Sequence, residues 1–178
     1  VLEQDLEGGE LHIRAKRPKL LPTVLSPDQI RLVLRHTQPP CSLVLGLLYG
    51  SGLRLRECLS IRYKDIDLEQ SCIFIRGGKG KVDRIVMLPR RLESDLTVQL
   101  KRVQDLHIRD SKRGLGRVDM PGAFSIKAPT APYELAWQYV FPSARICRDP
   151  YDGEKVRHHL HESTVNRALN HATRAVGL

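Results

Sequence analysis

Two short stretches hold the residues best suited to chemistry. In Leu47-Leu48-Tyr49-Gly50-Ser51-Gly52-Leu53-Arg54-Leu55-Arg56-Glu57-Cys58-Leu59, two glycines are expected to end one apolar helix and deliver Arg54 into the first turn of the next. In Arg76-Gly77-Gly78-Lys79-Gly80-Lys81-Val82-Asp83-Arg84, a glycine-flanked lysine sits between two β-like runs. The planar fork of an arginine makes bidentate bonds to phosphate oxygens and never loses its charge. A lysine on a hairpin can protonate a leaving hydroxyl, and neighbouring Arg76, Lys81 and Arg84 would lower its pKa towards acid duty at neutral pH. Arg54 and Lys79 together imply phosphate chemistry on nucleic acid, which needs donors for two non-bridging oxygens and an acid for the leaving group. Each also has a plainer reading, Arg54 as a salt bridge to Glu57 and Lys79 as a solvated hairpin tip.

The elements that must position these residues can be read from periodicity and caps. Ser26-Pro27-Asp28-Gln29 supplies an N-cap, a proline at the first helical position and a glutamine that closes a capping box, so a helix starts there. Pro39-Pro40 breaks it, and Ser42 to Tyr49 is apolar enough to be a helix buried on all sides. Leu53 to Arg62 has helical spacing, with Arg54 and Glu57 one turn apart. Ser71 to Arg76 and Arg84 to Leu88 predict an antiparallel hairpin with Lys79 near its tip. Pro89 opens a long helix to about Ile108 with the stripe Leu92, Leu96, Leu100, Val103 and Leu106. From Asp110 to Gly153 glycine and proline are frequent, and the aromatic patch from Tyr133 to Phe141, around Trp137 and Tyr139, predicts an insertion with its own small helix. His161 to Val176 is the last helix, with Glu162 near its start and Arg174 near its end, in accord with the helix dipole.

Composition narrows the partners. The 178 residues carry 29 Lys and Arg against 20 Asp and Glu, a formal charge of +9 that favours an anionic polymer through counterion release. At 41% hydrophobic content the chain can bury a core as one mainly α domain with a small antiparallel sheet. Cys41, Cys58, Cys72 and Cys147 form no C-x-x-C pair and read as reduced core residues of a cytosolic protein. No apolar run is long enough to span a membrane. Residues 1 to 21 end in the basic cluster Arg14-Ala15-Lys16-Arg17-Pro18-Lys19 and read as an exposed linker. The polar start at Val1 is that expected of a fragment.

In order and context, these motifs resemble the catalytic domain of tyrosine recombinases, whose signature runs apolar helix, Tyr, small, Ser/Thr, Gly, Leu/Met, Arg, two residues, Glu. The resemblance implies that Arg54 is the first catalytic arginine, Lys79 the β-hairpin lysine, and Arg76, Lys81 and Arg84 DNA contacts. One departure is Val82, where relatives often carry a second lysine. Integron integrases carry an insertion like Asp110 to Glu154 that ends in Arg-His-His, here Arg157-His158-His159, followed by a helix similar to Glu162-Ser163-Thr164-Val165-Asn166-Arg167-Ala168. This closer resemblance, from Lys16 to Leu178, implies DNA-binding roles for Arg157, His158, His159 and Trp137, since such insertions help recognise extrahelical bases of folded single-stranded cassette sites, and aromatic or imidazole faces stack on unpaired bases. The aromatics also fit a hydrophobic cluster that anchors the excursion. The histidines also fit ordinary surface or core positions or, with no supporting Cys or acidic ligand nearby, a metal site.

The family completes its active site with a His-x-x-Arg box, a further His or Trp and a nucleophilic tyrosine, all C-terminal to the helix that ends near Val176. Tyr49, Tyr63, Tyr133, Tyr139 and Tyr151 precede that position, and Tyr49 matches the family's core aromatic. Residues 22 to 178 are therefore expected to be a partial catalytic domain unable to cleave DNA alone. It is expected to be monomeric, from a parent that recombines DNA as a tetramer without metal or nucleotide cofactor, in the bacterial cytoplasm at the nucleoid. Two alternatives remain, a non-catalytic DNA-binding or synapsis factor and a recombinase that resolves chromosome dimers, although the latter leaves the insertion unexplained.

Overall fold

The computed structural model describes residues 24–77, 82–121, 124–150 and 152–178. The linker expected at residues 1 to 21, together with Lys79 and Lys81, lies outside these described residues. The chain folds as α+β: helices α1 (Pro27–Arg35), α2 (Cys41–Ser51) and α3 (Leu55–Leu59), then strands β1 (Ile66–Asp67), β2 (Cys72–Ile75) and β3 (Arg84–Met87), then the long α4 (Arg90–Ser111). The excursion that follows contains α5 (Phe124–Lys127), β4 (Cys147–Arg148) and β5 (Lys155–Val156), and α6 (Glu162–Ala175) closes the order. No helix among the described residues is long and apolar enough to cross a membrane.

Local chemistry accounts for the helix ends. Ser26 Oγ accepts from the Gln29 amide at 3.3 Å while Gln29 Oε1 accepts from the Ser26 amide at 2.8 Å, the reciprocal capping box expected from sequence. Helix α6 ends with Gly177 at φ 73°, the Gly177 amide donating to Arg174 O and the Leu178 amide to Thr173 O, which together form a Schellman motif. The two glycines after α2 divide their labour differently from the expectation that both end the helix. Helix α2 runs on through Gly50 to Ser51, and Gly52 alone takes the left-handed cap at φ 64°. Gly50 is needed for close approach, because a Cβ there would stand 2.6 Å from Pro89 Cγ at the start of α4.

Strands β1, β2 and β3 form an antiparallel sheet in that order, with Cys72 opposite Met87 and Ile75 opposite Arg84. The Gly77 amide donates to Asp83 Oδ1 at 2.8 Å and ties the base of the hairpin that carries residue 79. The core gathers Val44 and Leu47 of α2, Leu59 of α3, Ile73 of β2, Leu96 of α4, Phe141 of the excursion and Val165 of α6. Leu92, Leu96, Leu100 and Val103 are buried as the stripe requires, while Leu106 is only half-buried. Cys41, Cys58 and Cys72 are buried free thiols, and burial pushes Cys41 and Cys58 up in pKa; Cys147 is exposed on β4, contrary to the expectation of a core position.

Helix α2 is not buried on all sides as its composition predicts. Leu45, Leu48 and half-exposed Tyr49 line an open apolar groove with Ile30, Leu34 and Leu169, so Tyr49 is a groove-wall residue and not a core aromatic. The patch from Tyr133 to Phe141 also departs from a helix. It forms two three-residue turns, at Ala131–Tyr133 and Leu135–Trp137, and then an extended run. That run is laced on both sides: Tyr63 donates to Gln138 O and Val140 to Ile61 O, while Ser143 donates to His158 O and Leu160 to Phe141 O. Buried Gln99 of α4 adds a side-chain bond to Val140 O at 2.8 Å. The excursion is thus joined to the core through its backbone.

A Gly50→Ala substitution is expected to lower stability by about 1–3 kcal/mol, the cost of forcing α2 from Pro89. Gly52→Ala, where nothing stands within 4 Å, should lose only about 1 kcal/mol from its left-handed backbone. Urea denaturation of both variants measures the difference.

Candidate nucleic-acid interface and active site

Arg54 is itself the N-cap of the short helix α3, with extended backbone at φ −77° and ψ 150°, and the helix ends at Leu59 before reaching Arg62. Glu57, in the first turn, accepts from the Arg54 amide at 2.9 Å and from Arg54 Nη1 at 2.8 Å. The expected salt bridge is present, and it is one half of a larger arrangement. Arg84 of β3 donates both terminal nitrogens to the same carboxylate at 3.0 and 2.7 Å. Glu57 is only 10% exposed, whereas the Arg54 side chain is 59% exposed. One nitrogen of Arg54 is therefore held from behind, and the guanidinium faces solvent beside the hairpin. This is a geometry for gripping an incoming anion without first having to order the side chain.

The electrostatics agree. The bond from Arg84, assisted by those from Arg54, holds the Glu57 carboxyl well below its usual range, at about 2, against burial that opposes ionisation. Arg84 is held more firmly charged by the same bond. Arg76 pairs with a second buried acid, Asp65, through Nε at 2.7 Å, and Asp65 also caps its own turn by accepting from the Arg62 amide at 3.0 Å. Of the cations expected around residue 79, Arg76 and Arg84 each sit on a carboxylate. Among the described residues Arg76, 55% exposed, is bound through Nε alone, while Arg84 spends both terminal nitrogens on Glu57.

Arg157 is the clearest departure from the expectation of a DNA contact. Its side chain is 8% exposed and pairs with Asp110, itself 5% exposed, through Nε and Nη2, while Nη1 donates to Ser143 O at 2.6 Å. A guanidinium with all three nitrogens occupied inside the protein is a staple between the end of α4 and the return of the excursion. Trp137 is likewise engaged: the Phe124 ring lies 4.9 Å away and Lys64 Nζ stands over the indole at 2.9 Å. Burial lowers the Lys64 pKa, partly offset by the Asp65 charge. Trp137 anchors the excursion in the way the plainer reading of the aromatics foresaw, and a base reaching its ring must displace a neighbour.

His158 and His159 are brought together, their rings 4.0 Å apart, with His158 44% exposed. His159 Nδ1 lies 2.8 Å from the Leu160 carbonyl, which makes Nδ1 the protonated nitrogen, and burial lowers its pKa. His161 stands apart as the N-cap of α6, its Nδ1 accepting from the Ser163 amide at 3.1 Å. Behind the pair lies a group with no signal in the sequence: Tyr139, Arg62 and Asp119, which are 57 to 77 positions apart where Arg62 meets the other two.

The letters His-x-x-Arg occur once, at His171-Ala172-Thr173-Arg174. Arg56, beside Arg54, pairs with Glu162 at the first turn of α6. At 1.5 Å per residue His171 and Arg174 lie roughly 14 to 18 Å further along that helix from Glu162.

A basic α+β domain that presents one arginine braced, through a shared carboxylate, to the strand β3 fits a DNA strand-transfer catalytic domain. The phage integrase family pattern matches residues 23–178, and the chain belongs to this family, the tyrosine recombinases. An integrase/recombinase of Escherichia coli is 35% identical over 165 residues, covering 93% of this chain and 49% of that protein, and one of Pseudomonas aeruginosa matches to the same extent. Tyrosine recombinase XerA of Thermococcus onnurineus is 38% identical over 93 residues, 51% of this chain and 33% of that protein. The crystal structure of XerA recombinase is similar in fold, with a TM-score of 0.55 at 23% identity over 92% of this chain and 46% of that one. The chain spans about half the length of the curated relatives that match most of it.

Two outcomes follow from these pairs. Because the folded-state pKa of Glu57 lies near 2 against an ordinary 4.5, the stability it confers is complete above pH 4.5 and is lost as pH falls towards 2. The shift corresponds to about 3 kcal/mol, which screening at exposed Arg54 reduces to about 2 kcal/mol. Glu57→Gln should remove that part of the acid limb in denaturation at successive pH values. Asp110→Ala should cost about 3–5 kcal/mol by stranding the buried Arg157 charge, detectable as a lower melting temperature.

Proposed function

We propose that the intact protein bearing this chain is a site-specific DNA recombinase that cuts and rejoins DNA through a phosphotyrosine intermediate. The observation that carries this reading is the exposed guanidinium of Arg54, held at the start of α3 by a largely buried carboxylate that also binds Arg84 of β3. In the reaction the family's nucleophilic tyrosine, C-terminal to the position of α6, attacks the phosphorus and the 5′-oxygen leaves. Arg54 bonds the non-bridging oxygens, whose charge builds up as the fifth bond forms, and Lys79 delivers a proton to the leaving oxygen. Arg76 and Lys81 bind the DNA backbone, with Arg84 acting mainly through Glu57. The parent acts as a tetramer on two DNA sites, and the protein works in the bacterial cytoplasm at the nucleoid.

Within the family we assign it to the integron type, which integrates or excises gene cassettes. The arrangement that supports this is the excursion of residues 110 to 154, joined to the core and ending at the paired imidazoles of His158 and His159, which suit contact with an extrahelical base of a folded single-stranded site. The Escherichia coli relative matches 93% of the chain, so its similarity includes most of the excursion, whereas the XerA match covers 51%. A second reading, resolution of chromosome dimers, draws support from the XerA relatives and the XerA-like fold.

Binding to a bulged hairpin and to a perfect duplex of equal length, compared across salt concentrations, separates the two. The integron reading expects a preference for the bulge that survives added salt, and equal, steeply salt-dependent binding contradicts it. Arg54→Ala in the intact protein should abolish cleavage and leave most DNA binding; near-normal cleavage would remove the clamp assignment.

A further inference from the structure

The paired histidines do not stand alone. Their rings lean on one side chain, Tyr139, which meets His159 edge-on at 5.2 Å and His158 at 5.5 Å between ring centroids. Tyr139 is 3% exposed and sits in the extended run that is hydrogen-bonded to residues 61 and 63 on one side and to 158 and 160 on the other. Its phenol cannot drift. The hydroxyl donates to the Asp119 carboxylate at 2.8 Å and accepts from Arg62 Nη2 at 2.9 Å. Arg62 also donates to the carbonyls of Trp137 and Asp119 at 2.8 and 2.9 Å, so one guanidinium fixes the phenol and two segments of the excursion beside it.

Burial raises the Tyr139 pKa, so the phenol stays protonated and remains a donor at neutral pH. The Asp119 carboxylate faces His158 as well, Oδ1 to Nε2 at 3.8 Å. Thus the same acid orients the tyrosine and lies beside the exposed imidazole, and the imidazole stack is supported from below by a ring whose position is fixed at both ends.

We propose that Tyr139, fixed by Arg62 and Asp119, is a positioning residue that sets the geometry of the His158–His159 pair and so its selectivity for an unpaired base. The proposal rests on the reading that this pair contacts an extrahelical base. A stacking site discriminates by orientation, because base and ring attract only when their faces are brought into register. Two adjacent imidazoles on a loop edge have several rotamers each, and the tyrosine beneath them selects one. Arg62 acts through the tyrosine, whereas Asp119 acts through the tyrosine and also faces His158 directly.

The test uses the protein with Tyr139→Phe, which keeps the ring and the net charge but deletes the hydroxyl, and Asp119→Asn as a second variant. Affinities for a hairpin with one extrahelical base and for a perfect duplex are measured alongside the melting temperature, and nuclear Overhauser contacts between ring 139 and both imidazoles are recorded. Tyr139→Phe is expected to reduce the preference for the bulged hairpin by about tenfold at unchanged duplex affinity, the scale of one lost buried hydrogen bond to a charged group. Its contacts to His158 should weaken. If both variants retain the full preference and the ring contacts, the positioning role is overturned even though base recognition stands. If the unmodified protein shows no preference for the bulge, base recognition itself fails and the selectivity claim with it, while the ring contacts still decide whether the tyrosine orients the histidines.

Discussion

The Glu57 carboxylate is the point on which the active face depends. It caps the amide of Arg54, holds the Arg54 side chain, and binds both terminal nitrogens of Arg84. One buried charge therefore ties α3 to β3 and fixes the arginine relative to the hairpin. Neither element could do this alone: α3 has five residues and β3 four, each too short to be rigid by its own hydrogen bonds. The cost of burying a carboxylate is offset because two guanidinium groups and an amide meet it, and the remaining exposure is concentrated on Arg54.

The same economy recurs across the molecule. Asp65 serves Arg76 and the turn that precedes β1, Asp110 serves Arg157, and Asp119 serves Tyr139. The net charge of +9 is thus distributed unevenly: several of the cations that look available in the sequence are neutralised by buried or half-buried acids, and those left exposed define the surface open to phosphate. The excursion joins this pattern through its backbone and through Arg62, which tie it to the elements that carry Arg54.

What could be read in the sequence was local. The Ser26–Gln29 box, the apolar stripe of α4 and the antiparallel pairing of β2 with β3 each depend on nearby residues, and each is found as expected. Arg54 was legible because Gly52 and Glu57 lie within three positions of it. The misplacements of Arg157, Gly50 and Trp137 concern partners far away in sequence. Arg157 reads as a member of a basic cluster with two histidines, but its carboxylate is 47 positions earlier. Gly50 reads as a helix terminator because its need for space is set by Pro89. Trp137 reads either as a stacking face or as an anchor of the excursion, and only the fold, by bringing Phe124 and Lys64 to its ring, favours the anchor. The brace of Arg62, Asp119 and Tyr139 had no local signal at all.

The most direct measurement is of charge at the reacting phosphate. The intact protein and its Arg54→Ala variant would be given a cognate DNA site whose scissile phosphate is replaced by a neutral methylphosphonate. If Arg54 serves to neutralise the negative oxygens, the variant should be inactive on ordinary DNA and regain strand cleavage on the neutral linkage, where that charge is absent. Equal failure of the variant on both substrates would contradict the account and leave Arg54 as a structural partner of Glu57.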